Sequence, residues 1–189
     1  MSTTGNNAGN VSQGKPKVGG AIFRAASGTT LPKSAAEELN EAFKCLGYVS
    51  EDGVVNQSEI ETSETKAWGG DTVLSSLTGK SDKFKLTLIE SLNVEVLKLI
   101  YGDANVSGTL ENGITVKATS EQPAEASYVI DMVLKNGVPK RVVIPSGTMS
   151  ALDDITYSDS TPLGYGTEIT ATPDANGVTH YEYIGGTAA

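Results

Sequence analysis

A change of periodicity within residues 67–102 constrains the fold more than any other feature of the chain. Apolar and polar side chains first alternate, and the apolar positions are Phe84, Leu86 and Leu88. This alternation is typical of a strand with one buried face. Turn-forming residues at 78–81 predict a β-hairpin, with residues 72–77 as the partner strand.

The period then becomes that of a helix. Ser91 or Asn93 can cap the first free amides, and Glu95 in the first turn suits the positive end of the helix dipole. Gly102 is placed to end the helix. The apolar residues on one side are Leu92, Val96, Leu97, Ile100 and Tyr101. A helix this short is not stable alone, so we expect it to lie on a sheet.

The remaining chain predicts that sheet. Asn136-Gly137 separates two β-rich runs, and Asn-Gly is the strongest short hairpin signal because both residues adopt positive φ. Apolar residues on both faces of this hairpin indicate that it is covered on both sides, and Pro139 and Pro145 predict an edge position. The other expected elements are strands at 18–25 and 115–118 and a final hairpin that turns at Asn176-Gly177.

A second helix is predicted over residues 34–47. Ser34 and Glu37 match a capping box, and Gly47 supplies a stop signal. The apolar stripe of this helix would be Leu39, Ala42, Phe43 and Leu46. Together these elements predict a mainly β fold, an antiparallel β-sandwich or barrel-like structure with one or two flanking short helices.

Two polar segments stand apart from these elements. Residues 1–17 are expected to form a flexible N-terminal arm ahead of a single domain at 18–189, and a role in assembly and no role remain alternatives. Residues 57–70 form a polar stretch of a length that is uncommon in a compact domain unless it has a function. We expect a protruding loop that contacts another subunit, against the alternative of a solvated loop with Trp68 returning to the core. The candidate contact residues are Gln57, Glu59, Ile60, Glu61, Glu64, Lys66 and Trp68.

The charge distribution disfavours a nucleic-acid-binding protein. The formal net charge is −9. Residues 1–50 contain five basic and three acidic side chains, whereas residues 51–189 contain nine and twenty. Proteins that grip nucleic acid neutralise phosphates with basic side chains. This chain is expected to repel DNA.

No group of residues predicts an enzyme, a cofactor or a metal site. Gly79-Lys80-Ser81 resembles the end of a phosphate-binding loop, but the first required glycine falls on Leu74. His180 is the only histidine and Cys45 the only cysteine, so these residue types cannot build a four-ligand zinc site. The N-terminus lacks signal-peptide features and no apolar run reaches membrane length, so we expect a cytoplasmic protein.

Four segments resemble the major tail (tail tube) proteins of long, non-contractile-tailed bacteriophages. They are GGAIFRAASGTTLP, LGYVSEDGV, AWGGDTVLSSLTGKSDKFKLTLIESLNVEVLKLIYGDANV and KRVVIPSGTMSALDDITYSDSTPLGYGTEITATPDANG. The resemblance extends from about Val18 to Ile184 and keeps the family's order. It therefore covers nearly the whole predicted domain.

The resemblance implies a structural protein without catalytic residues. Such subunits associate into rings, generally hexameric, whose sheets join into one channel, and the rings stack into a tube around a tape-measure protein. The implied partners are the protein itself and the tape-measure, tail-terminator and distal tail proteins, while DNA passes through without specific binding and no membrane is involved. The implied location is the virion tail, with the host cytoplasm before assembly.

Under this resemblance, acidic side chains would keep passing DNA off the channel wall, within a Debye length of about 8–10 Å. The candidates to face the lumen are Asp71, Asp82 and Asp131, with the glutamates of residues 57–70. A purely solubilising role for these acids is the alternative. Two rival functions remain open: the tube protein of a contractile tail or related injection machine, and a sugar- or protein-binding β-sandwich module.

Overall fold

The computed structural model describes residues 5–186, and strands dominate it. The strands are β1 (Lys15–Pro16), β2 (Ile22–Ala26), β3 (Lys44–Cys45), β4 (Val49–Lys66), β5 (Thr72–Leu88), β6 (Val106–Thr109), β7 (Gly113–Val116), β8 (Ala126–Val133), β9 (Pro139–Leu152), β10 (Tyr165–Ala171) and β11 (Tyr181–Ile184). A short helix, α1 (Val94–Tyr101), lies between β5 and β6. The predicted mainly β, antiparallel fold class is confirmed.

Within residues 5–186, nine strands form one antiparallel sheet in the order β3-β2-β8-β9-β10-β5-β4, in which β1 adds to β8 and β11 adds to β9. β6 and β7 form a separate hairpin. The predicted hairpin at Asn136-Gly137 is confirmed, because β8 pairs with β9 and both turn residues have positive φ, 61° and 77°. In the predicted N-terminal arm, Lys15 and Pro16 pair with β8; residues 1–4 lie outside the described part.

Strand β9 divides the sheet into two halves. Its first part pairs with β8 on one side and β11 on the other, whereas residues 147–152 pair with β10. Between the two parts the register with β8 shifts, and the Ser127 hydroxyl donates to the Pro145 carbonyl at 2.6 Å. The predicted edge position is wrong. Pro145 lies at this bulge and Pro139 begins the strand, two places where proline is tolerated inside a sheet.

The predicted hairpin at Asn176-Gly177 is also wrong. β10 and β11 do not pair with each other but follow one another along the same side of β9. The Asn-Gly residues form a local turn between them, in which the Gly177 N–H donates to the Asp174 carbonyl at 2.9 Å.

One face of the whole sheet packs on the main hydrophobic core. Helix α1 contributes the buried residues Val96, Leu97, Leu99 and Ile100, and both halves of the sheet contribute strand residues. The helix prediction is confirmed at both ends. The Asn93 side chain accepts from the Glu95 N–H at 3.0 Å, and Gly102 at φ 92° follows the last turn.

The described residues cover the opposite face only over one half. Residues 27–43 lie over β2, β8 and the first part of β9, where a second core buries Ala25, Phe43, Val129 and Val143. We call this part of the sheet, with β1, β3 and β11, the covered half. The open half consists of residues 147–152 of β9 together with β10, β5 and β4.

The predicted helix over residues 34–47 does not form. The capping-box hydrogen bond is present, since the Glu37 N–H donates to Ser34 Oγ at 3.1 Å. However, Arg141 Nη1 donates to the carbonyls of Ser34 and Glu37, at 3.0 and 2.7 Å. In a helix, these carbonyls would accept N–H groups from four residues further on. A buried guanidinium from a distant strand has taken the place of those helical donors.

The turn predicted at residues 78–81 is wrong too, because β5 continues through it. Glu61 pairs with Gly79 and Thr62 with Leu77, so Thr78 is the extra residue of a β-bulge. The chain reverses at residues 67–71, where the Ala67 N–H donates to the Asp71 carbonyl at 2.8 Å. Residues 57–70 are therefore a strand and a hairpin tip rather than a loop.

Candidate assembly surfaces

The distal part of the β4–β5 hairpin projects from the body as an arm, which we define as residues 59–80. Every residue from 60 to 78 is exposed, whereas Phe84, Leu86 and Leu88 at the base are buried. Within the described chain, the two strands of the arm pair only with each other. At about 3.4 Å per residue, the arm extends about 25 Å beyond the body.

One face of the arm lies in line with the core-facing side of the sheet, but its side chains are exposed to solvent. Val54 pairs with Leu86 in the core, and alternation along β4 places Ile60 and Thr62 on the same face. Leu77 is the partner of Thr62. Ile60 and Leu77 are 65% and 64% exposed. Since nothing in the described chain covers these apolar side chains, they are candidates for a contact with another molecule.

Trp68 is fully exposed at the tip of the arm. The tip is held by a hydrogen bond from the Gly70 N–H to the Ala67 carbonyl at 3.0 Å, and Gly69 and Gly70 both have positive φ. The alternative in which Trp68 returns to the core is wrong. A large amphipathic ring presented on a short, hydrogen-bonded turn is typical of an interface anchor.

Asp82 fixes the arm to the body. Its buried carboxylate accepts hydrogen bonds from the hydroxyls of Ser58 on β4 and Thr179 before β11. Lys80 Nζ and His180 Nδ1 lie 3.9 and 3.4 Å from Asp82 Oδ2. Burial raises the pKa of Asp82, but the two hydroxyls and the two neighbouring bases more than offset this, so its pKa is lowered. The carboxylate thus joins three segments at the base of the arm.

The open half presents a polar face on the side away from the main core. Lys83 and Lys85 on β5 flank Glu168 on β10, with Nζ–carboxylate distances of 3.8 and 3.2 Å. Lys83 Nζ also lies 3.4 Å from Glu59 on β4. The Ser150 hydroxyl of β9 donates to Glu168 at 3.0 Å. Residues from all four strands of the open half therefore meet in one charge-balanced network.

Among residues 5–186, nothing pairs with either of the two outer backbone edges of the open half. Within the described chain, β4 pairs with β5 alone, so its other edge is unpaired. Residues 148–152 of β9 pair with β10 on one side, while β8 reaches β9 only as far as Gly147. A four-stranded sheet with a free edge on each side can accept a neighbouring strand at both.

The residues predicted for a subunit contact all lie along β4 or at the tip. Ile60 is on the core-side face, Gln57 and Glu59 are on the polar face, and Trp68 is at the tip. The remaining ones are Glu61, Glu64 and Lys66, all exposed on the arm.

Two of the predicted lumen acids are buried, and for them the prediction is wrong. Asp82 is the arm anchor described above. Asp131 is 3% exposed, and its carboxylate is bound bidentately by Arg141 at 2.6 and 2.8 Å. Neither carboxylate can line a channel from these positions. Asp71 is exposed at the tip of the arm.

Sequence reasoning missed Glu168 and the exposed Leu77. The alternation of Lys83 and Lys85 with buried residues does place both lysines on the outer face of β5. Nothing local to Glu168 indicates that β10 is the strand beside them, because β10 follows β5 by more than seventy residues.

The described residues contain no group of three or more histidine, cysteine, aspartate or glutamate side chains that could hold a metal ion. Among the helices in residues 5–186, none is long and apolar enough to cross a membrane.

Comparison with known proteins gives one family. A family model described as phage tail tube protein matches residues 6–188, nearly the entire chain. No curated protein matches the sequence.

Proposed function

The chain belongs to the phage tail tube protein family, and from this premise we propose that it builds the tube of a long, non-contractile tail. Subunits assemble into hexameric rings, and the rings stack into a tube through which the genome leaves. Membership of a structural family favours a role without catalysis.

The free edges of the open half are the observation that supports ring closure. The outer edge of β4 in one subunit can add to residues 148–152 of β9 in the next through backbone hydrogen bonds. This is a head-to-tail contact, and such contacts generate rings when the rotation closes. Six four-stranded sheets would form a barrel of about 24 strands, beyond the 16–18 strands at which barrels enclose an aqueous channel.

In such a ring the polar face of the open half lines the channel, because its other face packs on the subunit's own core. Glu59 and Glu168 are two of the carboxylates on that face, and each is paired with a lysine. The exposed acids of the arm, with Asp71 at the tip, add negative charge. The acidic excess of the chain then keeps DNA from adhering as it passes.

We assign ring stacking to the arm. Its exposed apolar residues and Trp68 require a partner surface, and a second copy in the adjacent ring supplies one at every level of the tube. The other partners we propose are the tape-measure, tail-terminator and distal tail proteins. The subunit would reside in the host cytoplasm before assembly and in the virion tail afterwards. A sheath protein around the tube in virions would decide instead for a contractile tail.

The arm can be shortened without breaking the sheet. Glu61 pairs with Gly79, so replacing residues 62–78 with Asn-Gly gives a two-residue hairpin and keeps the Asp82 anchor. The shortened protein should retain the wild-type circular dichroism spectrum. In negative-stain electron microscopy of concentrated protein, we expect tubes for the wild type and only single rings or monomers for the shortened form.

The control is the same Asn-Gly replacement at the turn of another hairpin. Thr109 pairs with Gly113 at the end of the β6–β7 hairpin, so residues 110–112 can also be replaced with Asn-Gly. This control should still form tubes. Normal tubes from the shortened arm would exclude its stacking role, and absence of this polypeptide from virion tails would exclude the proposed function altogether.

A further inference from the structure

We propose that Glu168 prevents Lys83 and Lys85 from binding the phosphates of DNA that passes along the polar face of the open half. The inference rests on the proposed function, in which this face lines the channel. It gives Glu168 a role beyond adding to the acidic balance: the residue neutralises two specific cations.

The geometry places Glu168 between the two ammonium groups. Its carboxylate lies 3.2 Å from Lys85 Nζ and 3.8 Å from Lys83 Nζ. The Glu168 side chain is 15% exposed, whereas that of Lys85 is 51% exposed. The hydrogen bond from Ser150 holds the carboxylate in place. A fixed, half-buried anion therefore lies beneath a cation that reaches into solvent.

The carboxylate remains ionised at neutral pH. Burial raises the pKa of Glu168, but hydrogen bonds from Lys85 and Ser150 and the charges of both lysines more than offset this, so the pKa is lowered. Glu168 also lies directly opposite Lys85 in the β10–β5 ladder. Opposite charges at such positions stabilise strand pairing. The lysines can therefore stabilise the pairing of β5 with β10 without adding unneutralised positive charge to this face.

Without Glu168 the same lysines would be a liability. Each phosphate that a lysine neutralises adds an attraction through release of counterions. In a ring every subunit presents the same pair, and the tube repeats it at every level. The unneutralised pairs would form a periodic basic surface along the path of DNA.

Glu168→Gln tests this role, with Glu182→Gln as the matched control. Glu182 also pairs with a lysine, at 3.0 Å from Lys140 Nζ, but it lies in the covered half. Each variant removes one carboxylate that is paired with lysine. Both variants change the net charge by the same amount. For both purified proteins we expect roughly threefold to tenfold tighter binding of a short DNA duplex at low salt, with a steeper salt dependence.

DNA ejection separates the two variants. In single-particle fluorescence, virions whose tubes carry Glu168→Gln should release DNA at least roughly fivefold more slowly than the wild type, because of the added phosphate contacts. Glu182→Gln virions should release DNA at the wild-type rate. The double variant Glu168→Gln/Lys85→Gln should recover most of the wild-type rate. A wild-type ejection rate for Glu168→Gln, or equal slowing by both variants, would overturn the inference. Neither result would contradict the proposed tube function.

The proposed function fails differently, since wild-type virions would then lack the protein in their tails. Should Glu168→Gln subunits not assemble, binding of the duplex in solution still tests whether Glu168 neutralises the two lysines. An unchanged salt dependence relative to wild type would overturn the inference there.

Discussion

The covered and open halves of the sheet share one core but differ on the opposite face. Over the covered half, residues 27–43 bury a second apolar core and a bidentate Arg141–Asp131 ion pair. Over the open half, the equivalent face carries Lys83, Lys85 and Glu168 in contact with solvent. The same β9 strand crosses from one environment to the other at the Pro145 bulge.

This difference assigns most of the folding interactions to the covered half and the surfaces available for assembly to the open half. Burial on both faces gives the covered half most of its interactions within one chain, because apolar area removed from water is the main stabilising contribution. The open half keeps an exposed face, two free edges and the arm. Substitutions in the covered half should therefore act on folding, and those in the open half on association.

The largest effect is expected from Arg141→Met, in the covered half. The change leaves Asp131 as a buried carboxylate whose remaining cation is Lys17, at 3.6 Å. It also removes the donor to the Ser34 and Glu37 carbonyls. Breaking a buried ion pair from one side costs about 3–5 kcal/mol. The measurement is the free energy of unfolding from urea denaturation.

The double variant Arg141→Met/Asp131→Leu controls for the lost charge partner. Replacing both members of a buried pair with apolar residues is often nearly neutral, so part of the stability should return. Lys85→Met on the open half should change the free energy of unfolding by less than about 1 kcal/mol, as expected for an exposed pair. Equal losses for Arg141→Met and Lys85→Met would break the distinction between the halves.

Asp82→Asn, at the junction of the arm with the body, should have an intermediate effect. The amide keeps some hydrogen bonding to Ser58 and Thr179 but loses the attraction to Lys80 and His180. We expect a loss of about 1–3 kcal/mol in the free energy of unfolding, the usual range for a disturbed buried hydrogen-bonding group. Relative to the wild type, hydrogen exchange of the variant should accelerate more at the arm amides than at the β8 amides. Uniform acceleration in both would argue against a local anchor.

Acid should remove the contribution of Asp82. The folded-state pKa lies below the ordinary value of 3.8, so the folded protein binds fewer protons than the unfolded chain in this region. The stabilisation is complete well above 3.8 and is lost as the pH falls through the lowered pKa. The difference in unfolding free energy between wild type and Asp82→Asn should shrink between about pH 5 and pH 2. A difference independent of pH would contradict the ionised anchor.

Local signals predicted the elements whose partners are local. Asn93 caps α1 through the adjacent turn, and Asn136-Gly137 closes a hairpin between strands that follow each other directly. The prediction at residues 34–47 failed although its capping box forms, because Arg141 satisfies the carbonyls from more than a hundred residues away. A single-sequence pattern cannot register a donor supplied by a distant strand.

The prediction of a loop over residues 57–70 is wrong for a different physical reason. The alternation that predicts a strand comes from burial of one face, and both faces of residues 60–66 are exposed in the single subunit. A strand that meets only solvent has the composition of a loop. The prediction for Asp82 and Asp131 is wrong because each is buried against donors from distant segments, Thr179 for Asp82 and Arg141 for Asp131. Assembly surfaces are thus the part of this chain that periodicity describes least well.

The smallest effect on folding and a clear effect on association should come from Trp68→Ala. The side chain is fully exposed at the tip of the arm, so the free energy of unfolding should change by less than about 0.5 kcal/mol. Val18→Ala removes an equally exposed side chain beside the covered half and should change neither stability nor tube formation. Trp68 is the only tryptophan, so its emission in the wild type reports directly on the tip. We expect a blue shift when tubes form, because the indole leaves water, and a lower tube yield for Trp68→Ala alone. An unshifted emission in assembled tubes would place the tip in solvent and remove Trp68 from the stacking surface.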